Sequence, residues 1–272
     1  VVLGSTGSIG VQTLEAVAHL NSLADRGKSR QRFEIVGLAA RSSNGLLAVQ
    51  ATRFGVRTIA LADESVAIQT SARVLRGIEA AAQLIDQTRP DLVVAAMVGA
   101  AGLPATLKAA QLGIDIALAN KETLVAAGSI IVPAARANGS RLLPIDSEHS
   151  GLWQCLQGLE RNPDHTQGLV PPCEAPAAVE RAILTASGGP FRTTPIEKIF
   201  NATPEQALAH PTWTMGKKNT IDSATMLNKG LELIEAHWLF GLSAKRLGVL
   251  IHPQSIVHAI VELVDGSSIA QL

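Results

Sequence analysis

Residues 1–20 read VVLGSTGSIGVQTLEAVAHL, and their order decides the fold. Val1 to Leu3 is a short apolar run of strand type. Gly4, Gly7 and Gly10 punctuate the turn that follows, and an amphipathic helix runs on through Leu20. Strand, glycine turn and helix in that order make a phosphate cradle. The glycines let a pyrophosphate approach the backbone, and the helix N-terminus supplies amides and a positive dipole. The spacing is G-x-x-G-x-x-G rather than the commoner G-x-G-x-x-G. A plain turn can carry the same glycines, so the flanking strand and helix carry the assignment to a dinucleotide site.

Working outward, residues 33–40 read as a second strand, followed by Arg41, Ser42, Ser43 and Asn44. An acidic residue there would suit the ribose hydroxyls of NAD. A cation with hydroxyls suits a 2′-phosphate and favours NADP, although a solvated loop has the same composition. Alternation continues. Helices are expected over 46–54, 65–73, 78–88, 103–112 and 123–137, and strands over 58–61, 91–97, 114–118 and 141–144. Repeated β–α alternation predicts an α/β domain over 1–146 with a doubly wound parallel sheet of Rossmann type. Ligands sit beyond the C-terminal strand ends of such sheets. Two polar clusters fall at such ends: Asn120-Lys121-Glu122 and Asp146-Ser147-Glu148-His149.

A second α/β domain with its own smaller sheet is expected over 147–272. It opens with a short helix over 150–159. Residues 160–180 are rich in Pro, Asn, Asp and Gly and read as a surface insertion. A strand over 181–186 leads to Ser187-Gly188-Gly189, which suits either a phosphate-binding or a merely tight turn. Thr203-Pro-Glu-Gln206 has capping-box spacing. Residues 210–218 form a loop with Pro211, Trp213 and Gly216. A single helix is expected from Asp222 as N-cap to Gly241 as stop. On that helix Met226, Leu227, Leu231, Leu233, Ile234 and Trp238 make an apolar face, and Asn228, Glu232 and Glu235 cluster opposite. Gly230 costs about 1 kcal/mol relative to Ala mid-helix, so a close approach is expected there. Strands are expected over 247–251, 256–263 and 268–272.

Composition bounds the function classes. Among 272 residues 47% are hydrophobic but only 3% aromatic, with no Tyr, so the core must be aliphatic. Lys and Arg total 23, as do Asp and Glu, which gives no electrostatic footprint for nucleic acid or an anionic membrane. The two cysteines, Cys155 and Cys173, build neither a disulfide framework nor a zinc site. No apolar run is long enough to span a bilayer. The chain starts without Met inside one expected strand and stops inside another, so both edges read as interior to a longer polypeptide.

The acids suggest chemistry. In an extended segment the side chains of Asp146 and Glu148 would point the same way, and Glu232 would add a third carboxylate. Three oxygen donors without His or Cys suit a hard cation, Mg²⁺ or Mn²⁺; D-x-E also occurs as two solvated acids. Ser187, Ser223, Asn228 and Lys229 could frame an anion pocket. His149, His252 and His258 read as structural histidines.

The segments GSTGSIG, ANKETLV, LPIDSEHSG, SGGPFR, HPTWTMGKKNTIDSATMLNKGLELIEAHWLF and IHPQSIVHA, in this order, closely resemble the 1-deoxy-D-xylulose-5-phosphate reductoisomerase family. The resemblance covers the chain except the 160–180 insertion. It implies an NADPH- and metal-dependent rearrangement and reduction of a small phosphorylated sugar in the non-mevalonate isoprenoid pathway. It also implies a homodimer, a bacterial cytoplasmic or plastid stromal location, and a C-terminal helical domain beyond Leu272. Thr6, Gly7, Ser8 and Ile9 match the family's NADPH cradle. Arg41, Ser42 and Ser43 occupy its adenosine-phosphate loop, in a departure from the family's usual residues. Asn120, Glu122 and Gly216 match cofactor contacts. Lys121, Ser147, Glu148 and His210 match substrate contacts; Ser187, Ser223, Asn228 and Lys229 match the substrate phosphate site. Asp146, Glu148 and Glu232 match the metal ligands, and Trp213 a lid over the substrate. Lys121 and Glu148 are the candidates for proton handling. Competing readings are another NADP-dependent dehydrogenase of a phosphorylated or acidic metabolite, and a Rossmann-type redox sensor with no catalysis. A semialdehyde dehydrogenase would need a nucleophilic cysteine, and neither cysteine sits in a suitable motif.

Overall fold

The computed structural model describes residues 1–159, 168–213 and 216–272. The chain divides into two compact units, Val1–Leu143 and Pro144–Leu272. The division falls a few residues before the expected boundary, so Asp146 lies in the second unit rather than closing the first.

The first unit holds β1 (Val2–Leu3), α1 (Ser8–Asp25), β2 (Leu38–Ala40), α2 (Asn44–Phe54), β3 (Thr58–Leu61), β4 (Arg73–Arg76), α3 (Ala80–Thr88), β5 (Leu92–Ala95), α4 (Leu103–Gln111), β6 (Asp115–Leu118), α5 (Lys121–Asn138) and β7 (Leu142–Pro144). The sheet order is β4-β3-β2-β1-β5-β6-β7. Pairing is parallel where β1 meets β2 and β5, and on through β3, β4 and β6. Winding turns outward from β1 in both directions, so the topological switch lies between β1 and β5. This is the expected doubly wound sheet. Its central strands β1, β2 and β5 are short continuous apolar runs because helices cover both faces, whereas edge strand β4 carries exposed Arg73 and Arg76. Leu3, Leu38, Ile59, Leu61 and Ile116 are fully buried. Each such side chain is worth about 1.5–3 kcal/mol over exposure.

Two local expectations fail in this unit. The strand expected over 33–40 is confined to Leu38–Ala40. The helix expected over 65–73 does not form; a turn at Glu64 and Ser65 leads through irregular chain to β4. Side chains compete for the backbone: Asp63 Oδ1 accepts from the Ser65 amide (3.0 Å), and Thr70 Oγ1 from the Ala72 amide (3.1 Å).

The second unit holds α6 (Ser147–Gln157), β8 (Val179–Ala186), α7 (Ile196–Ile199), α8 (Pro204–Leu208), α9 (Lys217–Ala224), α10 (Leu227–Phe240), β9 (Leu247–Ile251), β10 (Ala259–Leu263) and β11 (Ser268–Gln271). Its sheet runs β11-β10-β8-β9, with β10 antiparallel to β8 and β11, and β8 parallel to β9. Helix α6 packs on β10 and β11, and α10 on β8 and β9. The capping box at Thr203 and Gln206 forms as expected. Part of the expected insertion, residues 160–167, lies outside the described residues. Its later part is not a free surface loop: the amides of Cys173 and Ala175 donate to Leu239 and Phe240 carbonyls at the end of α10 (2.9 and 2.8 Å).

The stretch expected as one helix is two. Asp222 is not an N-cap; it lies buried in the last turn of α9, paired with Lys218 at 2.8 Å. The break comes at Met226, whose backbone is left-handed (φ 59°). Lys217 and Lys218 belong to α9, which shortens the expected loop, and residues 214 and 215 of that loop lie outside the described residues. The faces of α10 are also the reverse of expectation. Lys229, Glu232 and Glu235 are buried, whereas Leu227 and Ile234 are 54% and 40% exposed. A Cβ added to Gly230 meets nothing within 4 Å, so the close approach expected there is not made within this chain.

Candidate functional site

In the first unit the loops after β1 and β5 flank the switch point, where doubly wound folds bind their ligands. Gly4 has φ +77°, and a Cβ on it would meet the Ala96 carbonyl oxygen at 2.5 Å. A Cβ on Gly10 would sit 2.3 Å from the Gly4 carbonyl oxygen. Both glycines are required by this packing of helix start on turn. Thr6 is half-buried, and Gly7, Ser8 and Ile9 are exposed around the N-terminus of α1, with Gly7 as N-cap. The 18-residue helix directs its positive end at that point. Arg41, Ser42 and Ser43 are exposed beyond the end of β2.

Asn120 is buried at the N-cap of α5. Its Oδ1 accepts from the Thr123 amide (2.8 Å) and hydroxyl (2.9 Å), and its Nδ2 donates to the carbonyls of Gly99 (3.0 Å) and Met97. The side chain is therefore spent on ordering the loop after β5 against α5. Lys121, buried, and Glu122, half-buried, follow it in the first turn of that helix.

In the second unit the acids converge. Asp146 is the N-cap residue of α6 and Glu148 lies in its first turn, so the pair is not extended as expected. Glu232 comes from α10, 84 residues beyond Glu148 in the chain. One oxygen from each of Asp146, Glu148 and Glu232 lies within 4.8 Å of the other two. A hard cation with ligands at about 2.1–2.5 Å spans roughly 4–5 Å between opposite donors, so the set fits Mg²⁺ or Mn²⁺. Asp146, His149 and Glu235 satisfy the same distance limit and form a competing donor set around the shared Asp146.

Lys229 already supplies a cation at two of the three acids. Its Nζ lies 2.8 Å from Glu148 Oε1 and pairs also with Glu232 Oε2. Burial opposes ionisation of Glu148, but the Lys229 ammonium and the Ser147 hydroxyl outweigh it and bring its carboxyl down to about 2. Burial likewise opposes the charge on Lys229, and the two carboxylates nevertheless hold its pKa above the ordinary lysine value. Glu232 Oε1 accepts from Asn228 Nδ2, while Asn228 Oδ1 is buried with no hydrogen-bond partner among the described residues. His149 is fully buried, and its Nε2 donates to the Glu232 carbonyl at 2.8 Å, which ties α6 to α10.

The other polar residues gather around the turn after β8. Ser187 Oγ lies 2.9 Å from His210 Nε2. Gly189 (φ +69°) packs so closely that a Cβ would meet the Ser223 carbonyl oxygen at 2.4 Å. Ser187, His210 and Ser223 are thereby brought into one neighbourhood. His210 Nδ1 accepts from the amides of Thr212 (3.1 Å) and Trp213 (2.9 Å), so Nε2 carries the proton. Burial lowers the pKa of this imidazole. Trp213 is half-exposed at 48%, and Gly216 is the exposed N-cap of α9. His252 and His258 bond the backbone of Ile256, as structural histidines do.

Sequence reasoning did not single out Glu235 or His149 as possible ligands. The signal was present for Glu235, one helical turn beyond Glu232 on the same face. For His149 the signal was its place in the first turn of α6 beside two acids.

A family model described as 1-deoxy-D-xylulose 5-phosphate reductoisomerase matches residues 1–128, and one described as the C-terminal domain of the same enzyme matches 142–240. The chain is 49% identical to the 1-deoxy-D-xylulose 5-phosphate reductoisomerase of Chlorobium phaeovibrioides, covering 100% of this chain and 66% of the relative. Among solved structures it matches the Zymomonas mobilis reductoisomerase in complex with NADPH (TM-score 0.82, 39% identity, 100% of this chain and 65% of that one). A DOX-P reductoisomerase in complex with NADPH, fosmidomycin and magnesium matches with TM-score 0.82, 38% identity and the same coverage. The chain thus spans about two thirds of the length of the proteins it matches. Among the described residues no helix is long and apolar enough to cross a membrane.

Proposed function

Because the chain belongs to the 1-deoxy-D-xylulose 5-phosphate reductoisomerase family, we propose that it carries the cofactor, metal and substrate sites of that activity. The reaction is the conversion of 1-deoxy-D-xylulose 5-phosphate to 2-C-methyl-D-erythritol 4-phosphate, dependent on NADPH and one divalent cation. The observation that carries this reading is the convergence of Asp146, Glu148 and Glu232 from two helices. A redox sensor on the same sheet has no use for three gathered acids.

Asp146, Glu148 and Glu232 would hold the cation. Such a cation supplies polarisation of the ketose carbonyl and hydroxyl oxygens, and the dinucleotide supplies the hydride. The remaining work falls to the chain. The α1 N-terminus, with Thr6, Gly7, Ser8 and Ile9, receives the pyrophosphate, and Arg41, Ser42 and Ser43 the 2′-phosphate. Asn120 acts by positioning the loop after β5, and Glu122 and Gly216 add cofactor contacts. Ser187, Ser223, Asn228 and Lys229 take the substrate phosphate, with the ammonium as a point charge. Ser147 and His210 hold substrate hydroxyls, and Trp213 shields the site from water. Lys121 and Glu148 are the proposed proton-handling residues. Orientation through a phosphate remote from the reacting carbons contributes to rate as well as affinity. A homodimer and a bacterial cytoplasmic or plastid stromal location complete the reading.

The test is NADPH oxidation by the full-length polypeptide with 1-deoxy-D-xylulose 5-phosphate, with and without Mg²⁺ or Mn²⁺. Metal-dependent turnover is expected. Cofactor binding without turnover on this substrate would reject the reading.

A further inference from the structure

Lys229 is called on by two partners at once. The proposed function needs its ammonium for the substrate phosphate. In the structure that ammonium is committed elsewhere, 2.8 Å from Glu148 Oε1 and paired with Glu232 Oε2, with its side chain 6% exposed. Those two carboxylates belong to the three whose oxygens lie within 4.8 Å of one another. The ammonium therefore stands in for part of the charge that a metal ion would supply.

A divalent ion bound by Glu148 and Glu232 would sit about 2–2.5 Å from their oxygens. An ammonium kept at hydrogen-bond distance from the same oxygens would lie beside it, with two cations facing each other in a buried space. That arrangement is strongly repulsive at low dielectric. The side chain has somewhere else to go. Lys229 lies in the first turn of α10, next to Asn228, whose Oδ1 is buried without a hydrogen-bond partner among the described residues. Ser223 lies just before that helix, against the Ser187–Gly189 turn.

We infer that Lys229 is a resident counter-ion of the metal site, displaced when the divalent cation binds and thereby released to bind the substrate's phosphate. This inference rests on the proposed assignment of the three acids to metal and of Lys229 to phosphate. Its consequence is coupling. A phosphomonoester that draws Lys229 off the carboxylates tightens metal binding, and the metal tightens phosphate binding by the same factor.

The experiment is a Mn²⁺ titration of the full-length, cofactor-loaded protein, with free Mn²⁺ read by its electron paramagnetic resonance signal. It is run with and without glycerol 3-phosphate as the phosphomonoester probe. In the unsubstituted protein the probe should tighten Mn²⁺ binding at least threefold. Lys229→Gln should bind Mn²⁺ about tenfold more tightly without the probe and show no response to it. Lys229→Met serves as a second variant, and a larger Mn²⁺-induced rise in melting temperature than in the parent reads the same competition. Mn²⁺ binding abolished by Glu232→Gln, yet unchanged in affinity by both Lys229 variants and by the probe, would overturn the displacement and leave the metal site standing. Mn²⁺ binding that survives Glu232→Gln would overturn the metal site and the displacement together.

Discussion

Two single-atom additions of the same kind should have opposite consequences. Gly10 and Gly230 both lie in helices, α1 and α10. By intrinsic propensity alone, replacing either with Ala should stabilise, by up to about 1 kcal/mol in a helix interior. At Gly230, the fourth residue of α10, nothing lies within 4 Å of the added Cβ, so a reduced propensity gain of about 0.5 kcal/mol should appear. At Gly10 the added Cβ would stand 2.3 Å from the Gly4 oxygen and 2.5 Å from the Ser5 Cα. Both obstacles are backbone, so the helix must back away from the turn, at about 1–3 kcal/mol for overpacking. Gly10 also lies in the first turn, where the propensity gain is smaller, so the net should be a loss of about 1–2 kcal/mol. Urea unfolding followed by far-ultraviolet circular dichroism measures both. NADPH fluorescence titration should show weakened binding for Gly10→Ala and unchanged binding for Gly230→Ala. A stable Gly10→Ala protein with parental NADPH affinity would refute the close-packed cradle.

Other consequences follow from the same geometry. Asn120→Ala should cost about 2 kcal/mol, since it removes an N-cap worth about 0.5–2 kcal/mol and two bonds to the loop after β5; urea unfolding checks it. Lys229→Met in EDTA should destabilise by about 3–5 kcal/mol at neutral pH, because it leaves Glu148 and Glu232 buried without their ammonium, and added Mn²⁺ should restore the loss. In the parent protein Glu148 has its pKa lowered from 4.5 to about 2, so its contribution is whole above 4.5 and disappears as pH falls toward 2. Thermal melts across that range should show a dependence that Glu148→Gln flattens. His210 also has a lowered pKa, so its contribution is present above 6.5 and is lost as pH falls below it. A proton on Nδ1 would break the two amide bonds from Thr212 and Trp213. Trp213 emission, isolated by Trp153→Phe and Trp238→Phe, should change below that pH, and Ser187→Ala should leave the change in place.

The parallel sheet was legible because both faces are covered: its strands are nearly pure aliphatic runs between glycine turns, and no tertiary partner can disguise that pattern. Residues 65–73 misled because alternating small, polar and branched residues carry no strong period, and the Asp63 and Thr70 side chains take the backbone bonds a helix needs. The acids were found through motif and resemblance, but their burial was not. Periodicity places apolar residues inward, and on α10 the order is reversed: Lys229 and Glu232 are buried as an ion pair that also takes in Glu148 of α6, and Glu235 is buried as well, whereas Leu227 remains outside. The break at Met226 escaped for a related reason. Nothing in its residue type favours a positive φ, so the left-handed turn is set by its surroundings.

The central claim is that Asp146, Glu148 and Glu232 share one divalent cation. Anomalous diffraction from a crystal soaked in Mn²⁺ tests it most directly. A single peak should appear, with oxygens of all three residues at about 2.1–2.3 Å. A peak between Asp146, His149 and Glu235 instead, or none within reach of Glu148 and Glu232, would contradict it.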